Sequence, residues 1–469
     1  MKVLFINITR HFENTPNRKH FHPRHVLPPI DVGYCAGLLE RCGHQVFLID
    51  TAVERYNTTR ILEKINGENI DVVVLKPDIM AYQLTLELAG QLNVFCRHTI
   101  CMGPRVCASP ELFIFEGSPI DLCVIGEPEF TLLEIIERIE NGKHTSGIQG
   151  TCHFNKQLIM ESPRQLCYDL DSLPYPKHEL FINKGYFFQY PIAINSKKSF
   201  GLMLTSRGCP HSCIFCSPVK RVSYGKEYRS RSARNVVDEI SLLESKGINI
   251  IYFADDLFTH DRQRVGLICD EIISRKINII WAAQIRADFA DSGLLEKMRQ
   301  AGCGCVNIGI ESANDATLKT IGKGTTRDSI EKTVNFCREA GINTVGDFII
   351  GAPGQTRDDL SESLKFAKRL KLDLAEFLFF TPYPGSRAFE LFGKPADIDK
   401  YSDYDNTIAS YCELGVDELK KTQLKFYRSY YFNSGFISRF FRKNKAVIFK
   451  NLFSELVFLK NVFLFLVQR

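Results

Sequence analysis

Three cysteines stand within eight residues of one another, at a spacing that suits metal binding. Cys209, Cys213 and Cys216 form a C-x3-C-x2-C pattern directly after the apolar run 200–205. That run predicts a strand, and the glycine and proline that follow predict a loop. Soft thiolates so close together favour an iron-sulfur cluster, and a [4Fe–4S] cube held by three protein cysteines keeps one iron open for another ligand.

Two other interpretations of this loop stay open. A structural zinc site normally uses four protein ligands, and no fourth cysteine or histidine pair stands nearby at finger-like spacing. His211 could be offered as a ligand, but its place between two of the cysteines would strain a shared site. Three unrelated thiols are the remaining alternative. The cluster is the interpretation that we favour.

The loop, RGCPHSCIFCSP, resembles the cysteine loop of the radical SAM superfamily. The resemblance implies that Cys209, Cys213 and Cys216 bind a [4Fe–4S] cluster, whose open iron takes the amino and carboxylate groups of S-adenosylmethionine (SAM). Reductive cleavage of SAM would then release a 5′-deoxyadenosyl radical. Phe215, the aromatic residue before the third cysteine, would lie by the adenine. The alternative for Phe215 is an apolar anchor of the loop.

The composition is that of an ordinary soluble protein with two or three domains. The 469 residues are 45% hydrophobic and 24% charged, and a net charge of +5 by itself predicts neither a nucleic-acid nor a membrane partner. The opening MKVLFINITR is too short and too soon interrupted by polar residues for a secretory signal. We therefore expect a reduced, cytoplasmic protein whose scattered cysteines are mostly buried thiols.

Residues 1–145 predict a doubly wound, flavodoxin-like parallel sheet. Five strand-like segments, most of them followed by a helical pattern, are 3–8, 45–49, 71–75, 100–103 and 121–126. Ligands on such sheets lie at the carboxyl ends of the strands. No G-x-G-x-x-G follows the first strand, so a nicotinamide or flavin dinucleotide is a poor candidate.

Several pieces of this region resemble the cobalamin-binding domain at the front of one radical SAM subgroup. They include segments 28–34 and 43–46 and, above all, GEPEFT at 126–131. The resemblance implies a cobalamin cofactor, with Gly126 and Glu127 among the residues that bind it. Since Gly126 ends a strand and carboxylates open the next helix, an ordinary helix start is the alternative.

One signature of other cobalamin proteins is absent. The D-x-H-x-x-G motif, which supplies a histidine to cobalt, does not occur, and the end of the third strand has Lys76-Pro77-Asp78-Ile79 instead. Members of the resembled subgroup often lack the motif too. The domain therefore either binds cobalamin without a protein histidine or keeps the fold and has lost the cofactor.

Residues 146–197, with four prolines, predict a linker, and residues 198–390 predict a partial (β/α)6 barrel. The strand before the cysteines is the first of six that alternate with helical patterns. Six strands are too few for a closed eight-stranded barrel, so we expect one open side. Functional residues should follow the carboxyl ends of these strands.

Candidate ligand-binding residues stand at those ends, and the family resemblance implies that they contact SAM or substrate. They are Asp255 after the second strand, Gln284 and Arg286 after the third, Glu311 after the fourth and Gly351 after the fifth. A guanidinium suits a carboxylate, a carboxylate accepts from hydroxyl or ammonium groups, and glycine lets the main chain approach adenine.

Structural roles are the alternatives for several of these residues. At most one of the adjacent acids Asp255 and Asp256 should face the pocket, and the other would be a solvated helix cap. Arg286 could form a structural salt bridge. Lys323, which lies between two glycines, could be an ordinary solvated loop lysine.

Residues 391–469 predict a helical C-terminal extension. Apolar side chains surround most of 448–467, and Arg439, Arg442 and Lys443 stand just upstream. Such a helix could lie on a membrane surface or cover an apolar substrate. A helix packed on the core or on a second subunit is the alternative.

Together these features predict a cobalamin-dependent radical SAM enzyme that methylates an unactivated carbon of a small-molecule or lipid-like intermediate. It would use a [4Fe–4S] cluster, SAM and cobalamin, and an electron donor of the ferredoxin or flavodoxin type. A radical cyclase or oxidoreductase resembling the anaerobic porphyrin cyclases is one alternative, and a cobalamin- or redox-sensing binding protein is another. No basic RNA-binding module closes the chain, so no nucleic-acid partner is expected.

Overall fold

The computed structural model describes most of the chain: residues 1–9, 25–54, 56–79, 81–93, 95–188, 200–216, 223–392, 407 and 409–450. Two large sheets organise these residues, one formed before position 161 and the other after position 199. Within this part of the chain, no helix combines the length and the apolar character needed to cross a bilayer.

The first sheet has seven strands. In chain order they are β1 (Lys2–Ile8), β2 (Gln45–Asp50), β3 (Val72–Pro77), β4 (His98–Cys101), β5 (Leu122–Val124), β6 (Thr151–Asn155) and β7 (Gln157–Met160). They lie in the order β2-β1-β3-β4-β5-β6-β7, and only the pairings of β5 with β6 and of β6 with β7 are antiparallel. The five parallel strands confirm the predicted flavodoxin-like sheet.

The β6–β7 hairpin extends this sheet past position 145, into residues that the sequence analysis assigned to a linker. Cys152 of β6 pairs directly with Cys123 of β5 and is fully buried. The hairpin therefore adds to the core of the first sheet. Short 3-10 turns at Leu170–Ser172 and His178–Leu180 follow it.

Helices cover both faces of the first sheet. They are α1 (Ile30–Arg41), α2 (Thr58–Glu68), α3 (Tyr82–Leu92), α4 (Pro104–Ala108) and α5 (Pro128–Glu140). Successive side chains of a strand point to opposite faces. Along β1, Val3 and Phe5 pack with α1 and α5, whereas Leu4 and Ile6 pack with α2 and α3. Burial on both faces explains why residues 3–6 of β1 form an unbroken apolar run.

The second sheet has six strands, all parallel and adjacent in chain order. They are β8 (Phe200–Met203), β9 (Ile250–Phe253), β10 (Ile280–Ile285), β11 (Cys303–Glu311), β12 (Asn343–Ile350) and β13 (Leu374–Phe379). Every neighbouring pair is parallel. The arrangement confirms the predicted partial (β/α)6 barrel.

The helices that follow these strands in the chain pack on the outer face of the second sheet. They are α6 (Ala233–Ser245), α7 (Arg262–Ser274), α8 (Ser292–Gln300), α9 (Asp315–Thr320), α10 (Arg327–Glu339), α11 (Arg357–Leu370) and α12 (Arg387–Phe392). A 3-10 turn at Ala287–Phe289 precedes α8. Their apolar side chains form one large core with the outward-facing residues of the strands.

The inner face of the second sheet packs against the first domain. One apolar cluster, which we call the floor, joins residues of five neighbouring strands to residues of the front part of the chain. Its members include Leu202, Tyr252, Ala282, Cys305 and Val345 together with Ile30, Tyr34 and Phe181. The inner face of the half-barrel is therefore covered in part by the first domain and by the segment that follows it.

The C-terminal extension begins by covering the edge of the half-barrel. Two helices, α13 (Val416–Tyr431) and α14 (Ser434–Lys450), form its described part. Tyr427 Oη accepts from Phe377 N at 3.2 Å, and Gln423 Nε2 donates to Phe377 O at 2.7 Å. Side chains of α13 thus pair backbone groups of β13 that no further strand of the described sheet reaches. The segment 448–467 lies almost wholly outside the described residues.

Candidate active site

The three cysteines follow β8, at the carboxyl end of the half-barrel. None of them forms a disulfide; Cys213 is buried, and Cys209 and Cys216 are half-buried. Among the described residues, no three side chains of His, Cys, Asp or Glu converge on one metal ion. Thiolates that hold an iron-sulfur cube do not need to converge in this way, because they bind different irons.

Backbone contacts fix this loop against two neighbouring segments. Ile214 N donates to Ile321 O at 3.0 Å, and Ala388 N donates to Ile214 O at 2.8 Å. Gly322 has a φ of +68°, and a Cβ there would lie 2.9 Å from Ser212 O. Only glycine allows this close approach, so the segment after α9 holds the cysteine loop from one side.

Two cations lie beside the buried thiol. Arg286 Nη1 is 4.0 Å from Cys213 Sγ, and Arg286 Nε donates to Asp288 Oδ1 at 2.7 Å. Burial disfavours the charge of Lys323, but Glu311 and Cys213 outweigh it and raise the pKa of Lys323 above its usual value. The loop lysine that sequence alone left open as solvated is therefore a buried cation at the site.

Glu311 reaches Lys323 through an unusual backbone geometry. Lys323 Nζ donates to Glu311 Oε1 at 2.7 Å, and both side chains are buried. The register of β11 with β12 shifts between Gly309 and Glu311, and Glu311 has a φ of +63°. This left-handed conformation is uncommon for residues other than glycine and turns the carboxylate toward the cysteine loop side of the strand.

Phe215 is the residue of the cysteine loop that precedes Cys216, and it faces the core of the barrel. It is half-buried and packs against the large core, and its ring centroid is 6.0 Å from Lys323 Nζ. Phe215 therefore lies close to Lys323 and also packs as an apolar anchor would, so its place beside the adenine stays a prediction.

Asp255 is turned away from this group. It is fully buried and accepts from Thr205 N at 2.6 Å and from Ser206 Oγ at 2.8 Å. Arg264 Nη2 lies 3.9 Å from its Oδ2. Asp255 thus fastens the end of β8, just before the cysteine loop, and its contacts are with protein groups.

Gln284 belongs to a polar layer on the inner face that the sequence analysis missed in part. Gln284 of β10 lies opposite Asn307 of β11. Gly309 of β11 lies opposite Asp347 of β12, which in turn lies opposite Glu376 of β13. Residues two positions earlier in these strands belong to or pack on the floor. Because side chains alternate along a strand, this layer faces the same interior, above the floor. Assigning each strand's inner face in this way would have identified Asn307, Asp347 and Glu376.

The two glycines of the sequence analysis differ in their surroundings. Gly351 has a φ of +84°, and a Cβ there would lie 3.1 Å from Leu419 Cδ1, so α13 fills the space beside it. Gly126 has a φ of +86°, and nothing lies within 4 Å of a Cβ built on it. Gly126 therefore leaves open space at the carboxyl end of β5.

Glu127 makes contacts that the sequence did not reveal. Arg207 Nη1 donates to its Oε1 at 3.0 Å, Arg229 Nη1 lies 3.0 Å from the same oxygen, and Cys167 N donates to Oε2 at 2.7 Å. Both carboxylate oxygens are therefore engaged by protein. Arg207 directly precedes the cysteine loop, so Glu127 connects the first domain to that loop.

Comparison with known families agrees with this geometry. The model of the radical SAM superfamily matches residues 203–367, which run from the end of β8 into α11. An uncharacterized methyltransferase of Pyrococcus horikoshii is 32% identical over 370 residues, covering 77% of this chain and 78% of that protein. The anaerobic magnesium-protoporphyrin IX monomethyl ester cyclase of Rubrivivax gelatinosus is 26% identical over 465 residues, and the alignment covers 95% of this chain and 80% of the cyclase.

Two solved structures share the fold. The radical SAM methyltransferase TsrM from Kitasatospora setae, with tryptophan substrate and a SAM analog bound, has a TM-score of 0.66 at 20% identity, covering 83% of this chain and 75% of that one. The cobalamin-dependent SAM radical enzyme OxsB, with aqua-cobalamin and SAM bound, has a TM-score of 0.64 at 19% identity, covering 83% of this chain and 54% of that one.

Proposed function

Because the chain belongs to the radical SAM superfamily, we propose that it is a cobalamin-dependent radical SAM methyltransferase acting on an unactivated carbon of a small molecule. The observation that carries the proposal is the placement of three cysteines at the carboxyl end of a parallel half-barrel whose inner face packs against a flavodoxin-like domain. The uncharacterized methyltransferase of P. horikoshii aligns with 77% of this chain.

The residues around the cysteine loop fit a bound [4Fe–4S] cluster. Cys209, Cys213 and Cys216 would be its ligands, and two cations, Arg286 and Lys323, lie beside Cys213 where negative charge on the cluster and its thiolates would be offset. When bound, the cluster supplies the electron that cleaves SAM. Asp255 would act indirectly, by fastening the chain that leads into the loop.

SAM would lie between this loop and the ends of β10 and β11. Glu311 and Arg286 offer opposite charges for the ammonium and carboxylate groups of a bound amino acid. Phe215 offers an aromatic face, and Gln284 faces the interior below them. Gly351 would contact SAM through backbone atoms of its loop, because Leu419 fills the space where a side chain at position 351 would lie.

Cobalamin would lie at the carboxyl edge of the first sheet. The open space beside Gly126 suits a large ligand there. No histidine stands at the end of β3, where Lys76 Nζ lies 3.3 Å from Asn7 Oδ1. When bound, this cofactor supplies the methyl group. Glu127 would support the site through Arg207 and Arg229, since its carboxylate is already engaged.

Cyclisation or oxidation without methyl transfer is a second candidate. The observation in its favour is the alignment with the porphyrin cyclase of R. gelatinosus across 95% of this chain. A sensing protein without catalysis is not proposed, because this chain's family and relatives are enzymes.

The test is a metal count combined with SAM cleavage. Anaerobically reconstituted protein should contain iron and cobalt and, with dithionite and SAM, release 5′-deoxyadenosine. Cys213→Ala should lose the iron and the product, whereas Cys42→Ala, at an exposed cysteine, should behave as wild type. Iron and product without cobalt would contradict methyl transfer by cobalamin, and product from Cys213→Ala would contradict the cluster assignment.

Two partners complete the proposal. A one-electron donor of the ferredoxin or flavodoxin type would replace dithionite in the cell. The C-terminal helices would touch a membrane surface, because Phe432, Ile437 and Phe441 are 50%, 40% and 46% exposed and Arg439 and Arg442 stand among them.

Vesicle flotation tests the membrane contact. Wild-type protein should float with vesicles of phosphatidylglycerol and phosphatidylcholine more than with phosphatidylcholine alone, since basic residues favour anionic lipid. The variant F432S/I437S/F441S should stay at the bottom, and L267S/I273S, which removes exposed apolar residues of α7, should float. Equal flotation of both variants would remove the membrane contact.

A further inference from the structure

Four charged residues form a buried cluster between the two domains, which we call the ion-pair junction. Glu127 precedes α5 and Glu129 lies in its first turn, whereas Arg207 and Arg229 lie on two antiparallel segments beside the cysteine loop. Arg207 Nη2 donates to Glu129 Oε1 at 2.6 Å, in addition to the contacts of Glu127 with both arginines. The four side chains are between 1% and 8% exposed.

Aromatic rings of both domains enclose the guanidinium of Arg207. Its Cζ lies 5.0 Å from the ring centroid of Tyr34, in α1, and 4.7 Å from that of Tyr224. Burial opposes the charge, but Glu129, Tyr224 and Glu127 outweigh it and raise the pKa of Arg207 above its ordinary value. The position of this side chain is thus determined from several directions.

The backbone transmits that position to the cysteine loop. Gly208, between Arg207 and Cys209, has a φ of +84°, and a Cβ on it would lie 2.0 Å from Glu227 O. The chain there has no room to shift toward the neighbouring segment. On the other side, Asp255 holds Thr205 and Ser206. Arg207 is thus separated from Cys209 by one closely packed glycine, and the residues before Arg207 are held by Asp255.

We propose that the ion-pair junction positions the cluster-binding loop against the first domain, with Arg207 as the positioning residue and Glu127 and Glu129 as its anchors. This inference rests on the proposed function, because it concerns the distance between the cluster and the cofactor edge of the first sheet. It gives the GEPEFT segment a role through its carboxylates, which hold the loop and do not touch the cofactor. Two carboxylates balance two guanidiniums, so any single replacement leaves a buried charge without compensation.

The test compares three variants in anaerobically reconstituted protein. Arg207→Gln removes the charge, and Arg207→Lys keeps it but cannot bind two carboxylates in parallel. Arg164→Gln removes a half-buried partner of Glu134, a residue of α5 that does not belong to the ion-pair junction. Circular dichroism and thermal unfolding report folding. Electron paramagnetic resonance of the reduced cluster, with and without SAM, reports its geometry independently of turnover.

We expect Arg207→Gln to lose most of the SAM-induced change in the resonance spectrum and to form 5′-deoxyadenosine at least about tenfold more slowly, because small misplacements are costly at a reacting centre. Arg207→Lys should be intermediate, and Arg164→Gln should match wild type. If Arg207→Gln does not fold, Arg207→Lys carries the comparison.

Wild-type spectra and rates in the folded Arg207 variant would overturn the proposal, as would equal defects in Arg164→Gln. A wild-type protein that cleaves SAM but binds no cobalt would contradict the proposed methyl transfer and leave this comparison valid.

Discussion

Lys323 Nζ lies 2.7 Å from Glu311 Oε1, and this ion pair stands directly over Gly309. A Cβ on Gly309 would lie 2.5 Å from both atoms. The absence of a side chain at position 309 is therefore what allows the pair to form beside the cysteine loop.

Gly309→Ala should displace this pair. Overpacking a buried site costs roughly 1–3 kcal/mol, so we expect the free energy of unfolding to fall by about that amount and SAM cleavage to slow. The control is Gly266→Ala in α7, where nothing lies within 4 Å of the new Cβ and stability should rise by about 0.5–1 kcal/mol. Urea unfolding measures both, and equal effects of the two alanines would contradict the steric argument.

Arg286→Gln should make the cluster harder to reduce. The guanidinium lies 4.0 Å from Cys213 Sγ, and a cation there stabilises the reduced, more negative cluster. We expect the reduction potential to become more negative by on the order of tens of millivolts. A redox titration followed by electron paramagnetic resonance measures the shift. Arg275→Gln removes a surface arginine that pairs with Glu271 of α7 and should leave the potential unchanged. An unchanged potential in Arg286→Gln would show that this guanidinium does not face the cluster.

Glu239→Gln should weaken the protein at neutral pH and less so in acid. Glu239 is fully buried, pairs with Arg231 and lies 2.7 Å from His178 Nε2. Burial raises the pKa of this carboxyl, but Arg231 and His178 outweigh burial, so that the pKa is lowered overall. A lowered pKa adds stability that is fully present above the ordinary value of about 4.3 and is lost as the pH falls from there through the lower pKa of the folded state.

Urea unfolding at pH 7 and pH 3 checks this expectation. The loss in Glu239→Gln should be about 3–5 kcal/mol at pH 7 and should shrink at pH 3. Glu296→Gln, at an exposed position of α8, should match wild type at both values. A difference from wild type that does not change with pH would show that the charge of Glu239 is not what stabilises the fold.

Tyr427→Phe should loosen the edge of the half-barrel. Its hydroxyl accepts from Phe377 N of β13, and loss of that partner costs about 1 kcal/mol. Hydrogen exchange at the Phe377 amide should speed up. Tyr168→Phe, whose hydroxyl contacts Glu227 at an exposed position, should leave this amide unaffected. Unchanged exchange in Tyr427→Phe would mean that another group protects the strand.

Features that are local in sequence could be predicted. The five parallel strands of the first sheet and the six of the second follow from apolar runs separated by helical patterns, and the cysteine loop follows from its spacing. The β6–β7 hairpin was missed because its short strands lie in a proline-rich segment and owe their place to pairing with β5.

Contacts between distant residues could not be predicted. Glu127 meets Arg207 across 80 positions, so nothing near GEPEFT indicates that its carboxylate is engaged. Lys323 is buried because a register shift and a left-handed backbone at Glu311 turn a carboxylate toward it. Asp255 was expected to bind a ligand, but its carboxylate accepts from Thr205 N at the end of β8. Only the fold decides which of two adjacent acids faces the pocket.

The floor makes the two halves of this chain mutually dependent. The inner strands pack on Ile30, Tyr34 and Phe181. A fragment starting at residue 198 would lack these three residues and would expose the apolar side chains of its own inner face to water. Such a fragment should aggregate, so residues 198–469 should not work as an independent catalytic domain. Evolution or engineering that exchanges one half has to change the facing side chains of the other at the same time.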